Sequence, residues 1–197
     1  MDNRPDKYSL KNKPAEYLKQ GLSHCGAYAV KGILSSMGLD KTNHPKEYHP
    51  SLLGRLSGIT FGRDYYPRIL SKYGIKATPK SAIHLSDNEK INLLKDLLLK
   101  GNPAMLSIGN GYLSNNRYNK LQGLIMGHWI TVWGYDNDTE EFLVYDSAVP
   151  ENEYKINLPV GNTTRTYKEM LRDWKGALLA RLVRSNEYYH YIEIKSP

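Results

Sequence analysis

The amino-acid sequence predicts an α+β fold, with helices dominating the first half of the chain and antiparallel strands the second. Two observations carry this. Up to about residue 100, apolar residues recur at three-, four- and seven-residue spacings, the mark of helices buried along one face. Beyond the Gly101-Asn102-Pro103 break come runs rich in β-branched and aromatic residues, two of them joined by the turn Asp136-Asn137-Asp138-Thr139. No internal repeat, low-complexity tract or linker divides the chain. Residues 1–197 are therefore expected to form one domain, with a helical lobe over about 15–100 and an antiparallel sheet lobe over about 101–197.

The elements follow in order. Residues 1–19 read as an irregular lead-in that ends in the amphipathic piece Ala15–Lys19. A helix opens at Cys25 and runs to about Ser36, its stripe made by Ala27, Val30, Ile33 and Leu34, with Gly38 placed to cap it. Asn43, Pro45 and Pro50 break the next stretch, and Ser51–Leu56 forms a short helix. Asp64–Tyr73 is a firmer one, capped by Asp64, with Pro67 in its first turn and Gly74 ending it. Ile75–Thr78 reads as a strand. Ser86–Lys100 is a helix whose cap is Ser86 or Asp87 and whose stripe is Ile91, Leu94, Leu97 and Leu98. Ala104–Gly109 is a buried strand, Asn110–Gln122 a polar loop, and Trp129–Tyr135 with Glu141–Asp146 a hairpin. Lys155–Leu158 is expected as a strand, Tyr167–Trp174 as a helix capped by Thr166, and Ala177–Arg184 and Tyr188–Lys195 as strands.

Composition narrows the function. A hydrophobic share of 40% and a charged share of 24% are those of an ordinary globular protein. The net charge of +7 would suit nucleic acid, but the Lys and Arg residues are scattered without a block of five like charges. A solvated basic surface is the better reading, and no nucleic-acid partner is expected. The polar start Met1–Lys7 is followed by no apolar h-region, so a cytoplasmic location is expected. The longest apolar runs, such as Leu97-Leu98-Leu99, are too short to span a bilayer. A single cysteine excludes an internal disulfide.

That cysteine is the focus of the chemistry. Cys25 falls in the first turn of a buried helix, where free N–H groups and the helix dipole favour a thiolate. Gln20, five residues upstream, can bring a side-chain N–H donor beside the sulfur. A lone cysteine opening a buried helix is also, quite ordinarily, a small core residue. A second stretch tips the balance. In Gly127-His128-Trp129, the histidine begins a strongly apolar strand, and in Tyr145-Asp146-Ser147 a carboxylate closes the next. Across an antiparallel hairpin the start of one strand lies beside the end of the other, so Asp146 can fix the tautomer and orientation of His128. Asp136 competes for that role but sits at the far end of the hairpin. His24 is expected to be exposed or on a groove wall. A Cys/His/Asp zinc site has the right ligand types, yet no Cys-x-x-Cys or His-x-x-x-His pair supports it, and neither metal nor cofactor is expected.

These motifs resemble those of papain-like cysteine peptidases, and within them the bacteriocin-processing, double-glycine-leader peptidases and their stand-alone relatives. The resemblance rests on Gln20…Cys25-Gly26, Gly127-His128-Trp129…Gly134-Tyr135-Asp136 and Val144-Tyr145-Asp146-Ser147, with Leu93…Leu97…Lys100-Gly101-Asn102-Pro103-Ala104 between them. It covers most of residues 15–150. It implies a papain-like fold and a cysteine peptidase acting on a peptide or protein through a thioester. Cys25 would be nucleophile, His128 general base and acid, and Asp146 the orienting carboxylate. Gln20 would share the oxyanion hole with the Cys25 backbone N–H. The family's glutamine stands six residues before its cysteine, a place taken here by Lys19. Leader processing is not carried over, because those members are commonly fused to a membrane transporter. The alternatives are an acyltransferase or amidase using the same thioester, and a silent peptide-binding module.

Overall fold

The computed structural model describes residues 4–42, 44–111, 119–183 and 188–195. In chain order the elements are β1 (Lys7–Ser9), α1 (Cys25–Ser36), α2 (Leu52–Ser57), α3 (Tyr65–Ser71), β2 (Lys76–Ser81), α4 (Asp87–Leu99), β3 (Ala104–Gly109), α5 (Lys120–Ile125), β4 (Gly127–Asp136), β5 (Glu141–Tyr145), β6 (Thr163–Thr166), α6 (Tyr167–Trp174), α7 (Leu178–Val183) and β7 (His190–Lys195). Short 3₁₀ turns lie at Pro45–Tyr48 and Glu151–Glu153.

The strands make one antiparallel sheet in the order β2-β7-β3-β4-β5-β6. β4 is its spine. One edge pairs with β3 through Gly127–Val132 and then with β1 through Gly134–Asp136, while the other edge pairs with β5. The register slips between Val132 and Gly134, and the bulge lets Leu10 N–H reach the Trp133 carbonyl. β3 and most of β4 are buried along their length, so both faces of the sheet centre are covered. α1, α4 and α6 all pack there.

α1 is buried from Gly26 to Leu34, which makes it a central helix rather than a surface one. Gly26 lets it in: a Cβ at that position would lie 2.1 Å from the buried Tyr66 ring of α3. α4 and α6 each begin with a capping box, Ser86 with Glu89 and Thr166 with Glu169. Many of the tyrosines supply core area, Tyr66, Tyr135, Tyr145 and Tyr191 among them.

Several expectations give way. Ala177–Arg184 is no strand: its Leu-Leu-Ala-Arg-Leu run forms α7, as the high helix propensity of Leu, Ala and Arg favours. Lys155–Leu158 is a turn closed by the Leu158 N–H on the Lys155 carbonyl at 3.2 Å, with Ile156 89% exposed. Asp64 stands at the start of α3 without a side-chain capping bond. Of the expected loop at 110–122, residues 112–118 lie outside the described residues, and α5 already begins at Lys120 under an Asn119 cap. β1 and β6, short and polar, were not expected.

Candidate active site

The helix mouth of α1 meets the open end of the β4–β5 hairpin. The half-buried Cys25 thiol hydrogen-bonds the His128 ring and accepts the backbone N–H groups of Gly26 and Trp129. His128, the second residue of β4, is buried, and its Nε2 lies 2.7 Å from Asp146 Oδ1. The hairpin register accounts for that meeting: Thr131 pairs with Tyr145, and Asp146 follows immediately. With Nε2 engaged by the carboxylate, Nδ1 is the ring nitrogen left for the sulfur. The three groups stand in line with the imidazole between the other two. They do not converge on a common point, and among the described residues no three His, Cys, Asp or Glu side chains are grouped as metal ligands.

Asp146 is more deeply held than the sequence suggests. Its Oδ1 also accepts the Ala148 N–H at 2.9 Å, and its Oδ2 accepts Arg165 Nη2 at 2.8 Å. Arg165, buried on β6, is itself paired through Nη1 with Asp173 of α6, and Asp173 binds Arg172. Asn162 clamps the Asp146 backbone, accepting its N–H and donating to its carbonyl, each at 2.9 Å. A chain of alternating charge thus runs from Cys25 through His128, Asp146, Arg165 and Asp173 to Arg172 at the surface.

The electrostatics follow from this chain. Burial alone would raise the Cys25 thiol, but the His128 charge, its hydrogen bond and the two backbone N–H groups outweigh it and bring the thiol below its ordinary value. Burial alone would lower His128, yet Asp146 and the cysteine raise it. Burial would raise Asp146, but His128 and Arg165 hold it well below the usual carboxylate range. The arrangement favours a thiolate–imidazolium pair.

Gln20 lies beside the same strand exit. Its N–H donates to the Ser147 carbonyl at 2.8 Å, and its Oε1 accepts the Ser147 hydroxyl at 2.6 Å, which leaves the amide NH₂ as the end able to donate elsewhere. Lys19 binds the Ala148 carbonyl with Nζ at 3.0 Å and is exposed. Asp136 is at the far end of the hairpin, paired with Lys7 at 3.0 Å. His24 departs from expectation: it is 4% exposed, with Nδ1 3.2 Å from His49 Nε2. A left-handed backbone turns its ring inward. Arg165, Asp173, Asn162 and His49 carry no sequence signal of their own, because spacing along the chain does not show which polar groups will meet inside it.

The model of the Peptidase_C39 like family matches residues 17–174. The chain belongs to this family. It is therefore a cysteine-type peptidase. Among solved structures it is similar to a double glycine motif protease from an AMS/PCAT transporter, crystallised with the leader peptide. That match has 13% identity over 100% of both chains and a TM-score of 0.50. It is also similar to Xylellain, a cysteine protease from Xylella fastidiosa, at 14% identity over 98% of this chain and 87% of that one, with a TM-score of 0.48. The first likeness speaks to the fold, which is that of the papain-like C39 peptidases. No curated protein matches the peptidase. Among the described residues no helix is long and apolar enough to cross a membrane.

Proposed function

We propose that the chain works as one peptidase domain that hydrolyses peptide or amide bonds through a thioester on Cys25. The thiolate attacks the substrate carbonyl carbon, and the carbonyl π pair moves to oxygen. The Cys25 backbone N–H and the Gln20 amide NH₂ hold that oxyanion. As the intermediate collapses, the C–N bond breaks and the His128 imidazolium gives its proton to the leaving amine. His128 then takes a proton from water, whose oxygen displaces the sulfur and releases the acid. Asp146 keeps the imidazole oriented and favours its charged form.

The observation that carries this reading is the in-line placement of His128 between the Cys25 thiol and an Asp146 oxygen 2.7 Å away. A peptide substrate is supported by the similar double glycine motif protease, which was crystallised with a leader peptide. The experiment is digestion of a peptide library, read by mass spectrometry, with the wild type and Cys25→Ala. Cleavage by the wild type alone is expected. Equal cleavage by Cys25→Ala would reject the covalent route.

A further inference from the structure

Three described non-glycine residues have positive φ, and one of them, His24 at φ 78° and ψ 12°, immediately precedes Cys25. A left-handed backbone costs a residue with a Cβ about 1–2 kcal/mol and persists only where its surroundings over-determine it. His24 stands at the N-cap of α1, yet its side chain makes no capping bond. The ring turns into the interior instead. Its Nδ1 is 3.2 Å from His49 Nε2, and His49 Nδ1 is 2.9 Å from the Tyr65 hydroxyl. His49 is fully buried, and its carbonyl accepts Arg55 Nε at 2.9 Å. From the other side the turn is walled by Gly58, where a Cβ would lie 2.6 Å from the His24 backbone N.

The turn decides where one donor points. The His24 carbonyl accepts the N–H groups of Ala27 and Tyr28, at 2.8 and 3.2 Å, and the Gly26 N–H goes to the sulfur. The Cys25 N–H is the first-turn donor with no partner among the described residues. The Cys25 nitrogen is bonded to the His24 carbonyl carbon, so the direction of its N–H is set by ψ at His24. Whatever holds His24 holds that N–H.

We propose that His24, through its buried contact with His49, is a positioning residue that aims the Cys25 backbone N–H at the carbonyl oxygen of a bound substrate. This rests on the peptidase reading above. Both rings are kept neutral by burial, which lowers His24 and brings His49 down to about 4, so each link needs one N–H and one bare nitrogen. The relay Tyr65–His49–His24 meets that condition in either direction.

The test compares turnover of a fluorogenic peptide with alkylation of Cys25 by iodoacetamide, at one pH. In alkylation the thiolate attacks the reagent's CH₂ carbon and iodide leaves, with no oxyanion formed, so it reports the thiolate and not the aim of the N–H. In His24→Ala and His49→Phe, kcat is expected to fall by about 10²-fold, the scale of one lost oxyanion donor, with KM and the alkylation rate little changed. Gly58→Ala, which presses on the same turn from its other side, is expected to behave alike. His24→Gly can adopt the left-handed backbone without strain but has no ring to hold it there, so its kcat is expected to fall as well. Full kcat in a folded His24→Gly or His24→Ala would overturn the proposal, as would equal losses of turnover and alkylation. A wild type that neither cleaves peptides nor alkylates faster than an unperturbed thiol would instead reject the peptidase reading on which this one stands.

Discussion

Asp146→Asn removes one charge from the middle of the buried chain and leaves the shape almost unchanged. Asp146 uses both oxygens, Oδ1 for His128 and the Ala148 N–H, Oδ2 for Arg165. An asparagine has one oxygen, so either His128 or Arg165 must face an NH₂. A hydrogen bond to a charged group contributes about 1.5–3 kcal/mol. At 1.36 kcal/mol per unit, its loss moves the His128 titration down by about 1–2 units. Asp146 favours imidazolium, and imidazolium favours thiolate, so the upper limb of the pH profile falls and the lower limb rises slightly. The active range narrows mainly from its alkaline side, and kcat/KM at neutral pH drops by about 10–150-fold. The assay is kcat/KM against pH on a peptide substrate, with circular dichroism to confirm folding. A folded variant with a profile of wild-type width would refute the placement of Asp146 in this chain.

Other consequences can be measured as simply. Arg165→Met leaves the carboxylates of Asp146 and Asp173 buried without their shared cation. Breaking a buried pair costs about 3–5 kcal/mol, and a Tm roughly 6–20 °C lower is expected by calorimetry. His49, lowered by burial to about 4, binds no proton in the folded chain between about pH 6.5 and 4, whereas the unfolded chain does. Stability should therefore decline as pH falls through that window, by up to about 3 kcal/mol, and urea titrations of His49→Phe should show a flatter decline. Gly26→Ala drives a Cβ into the buried Tyr66 ring. It should depress Tm and expression, and a variant as stable as the wild type would mean that α1 and α3 are less tightly seated than described.

What was legible in the sequence is what the chain encodes locally. The spacing of Ala27, Val30, Ile33 and Leu34 announced α1, and the Asp136–Thr139 turn announced a hairpin whose register carries Asp146 to His128. Family motifs then tied the two together. The differences between expectation and structure have physical reasons. In Ala177–Arg184, eight residues of Leu, Ala, Arg and Val fit either periodicity, and the Leu and Ala content decides for α7 over Leu178–Val183. β6 has only four residues, and β1 three, so their patterns are too short to register. His24 reads as an exposed or groove-wall residue beside the nucleophile because nothing local indicates a left-handed turn or a buried His49 25 residues away. Arg165 is similar: a single arginine among threonines reads as exposed until the sheet brings it onto Asp146.

The most direct measurement of the central claim is the intact mass of the chain after exposure to a peptidyl electrophile, compared among wild type, His128→Ala and Cys25→Ser. One adduct per wild-type chain, formed rapidly at neutral pH, formed far more slowly in His128→Ala and absent from Cys25→Ser, is the expected result. Equal adduct formation in wild type and His128→Ala would contradict it, because the sulfur would then owe nothing to the imidazole beside it.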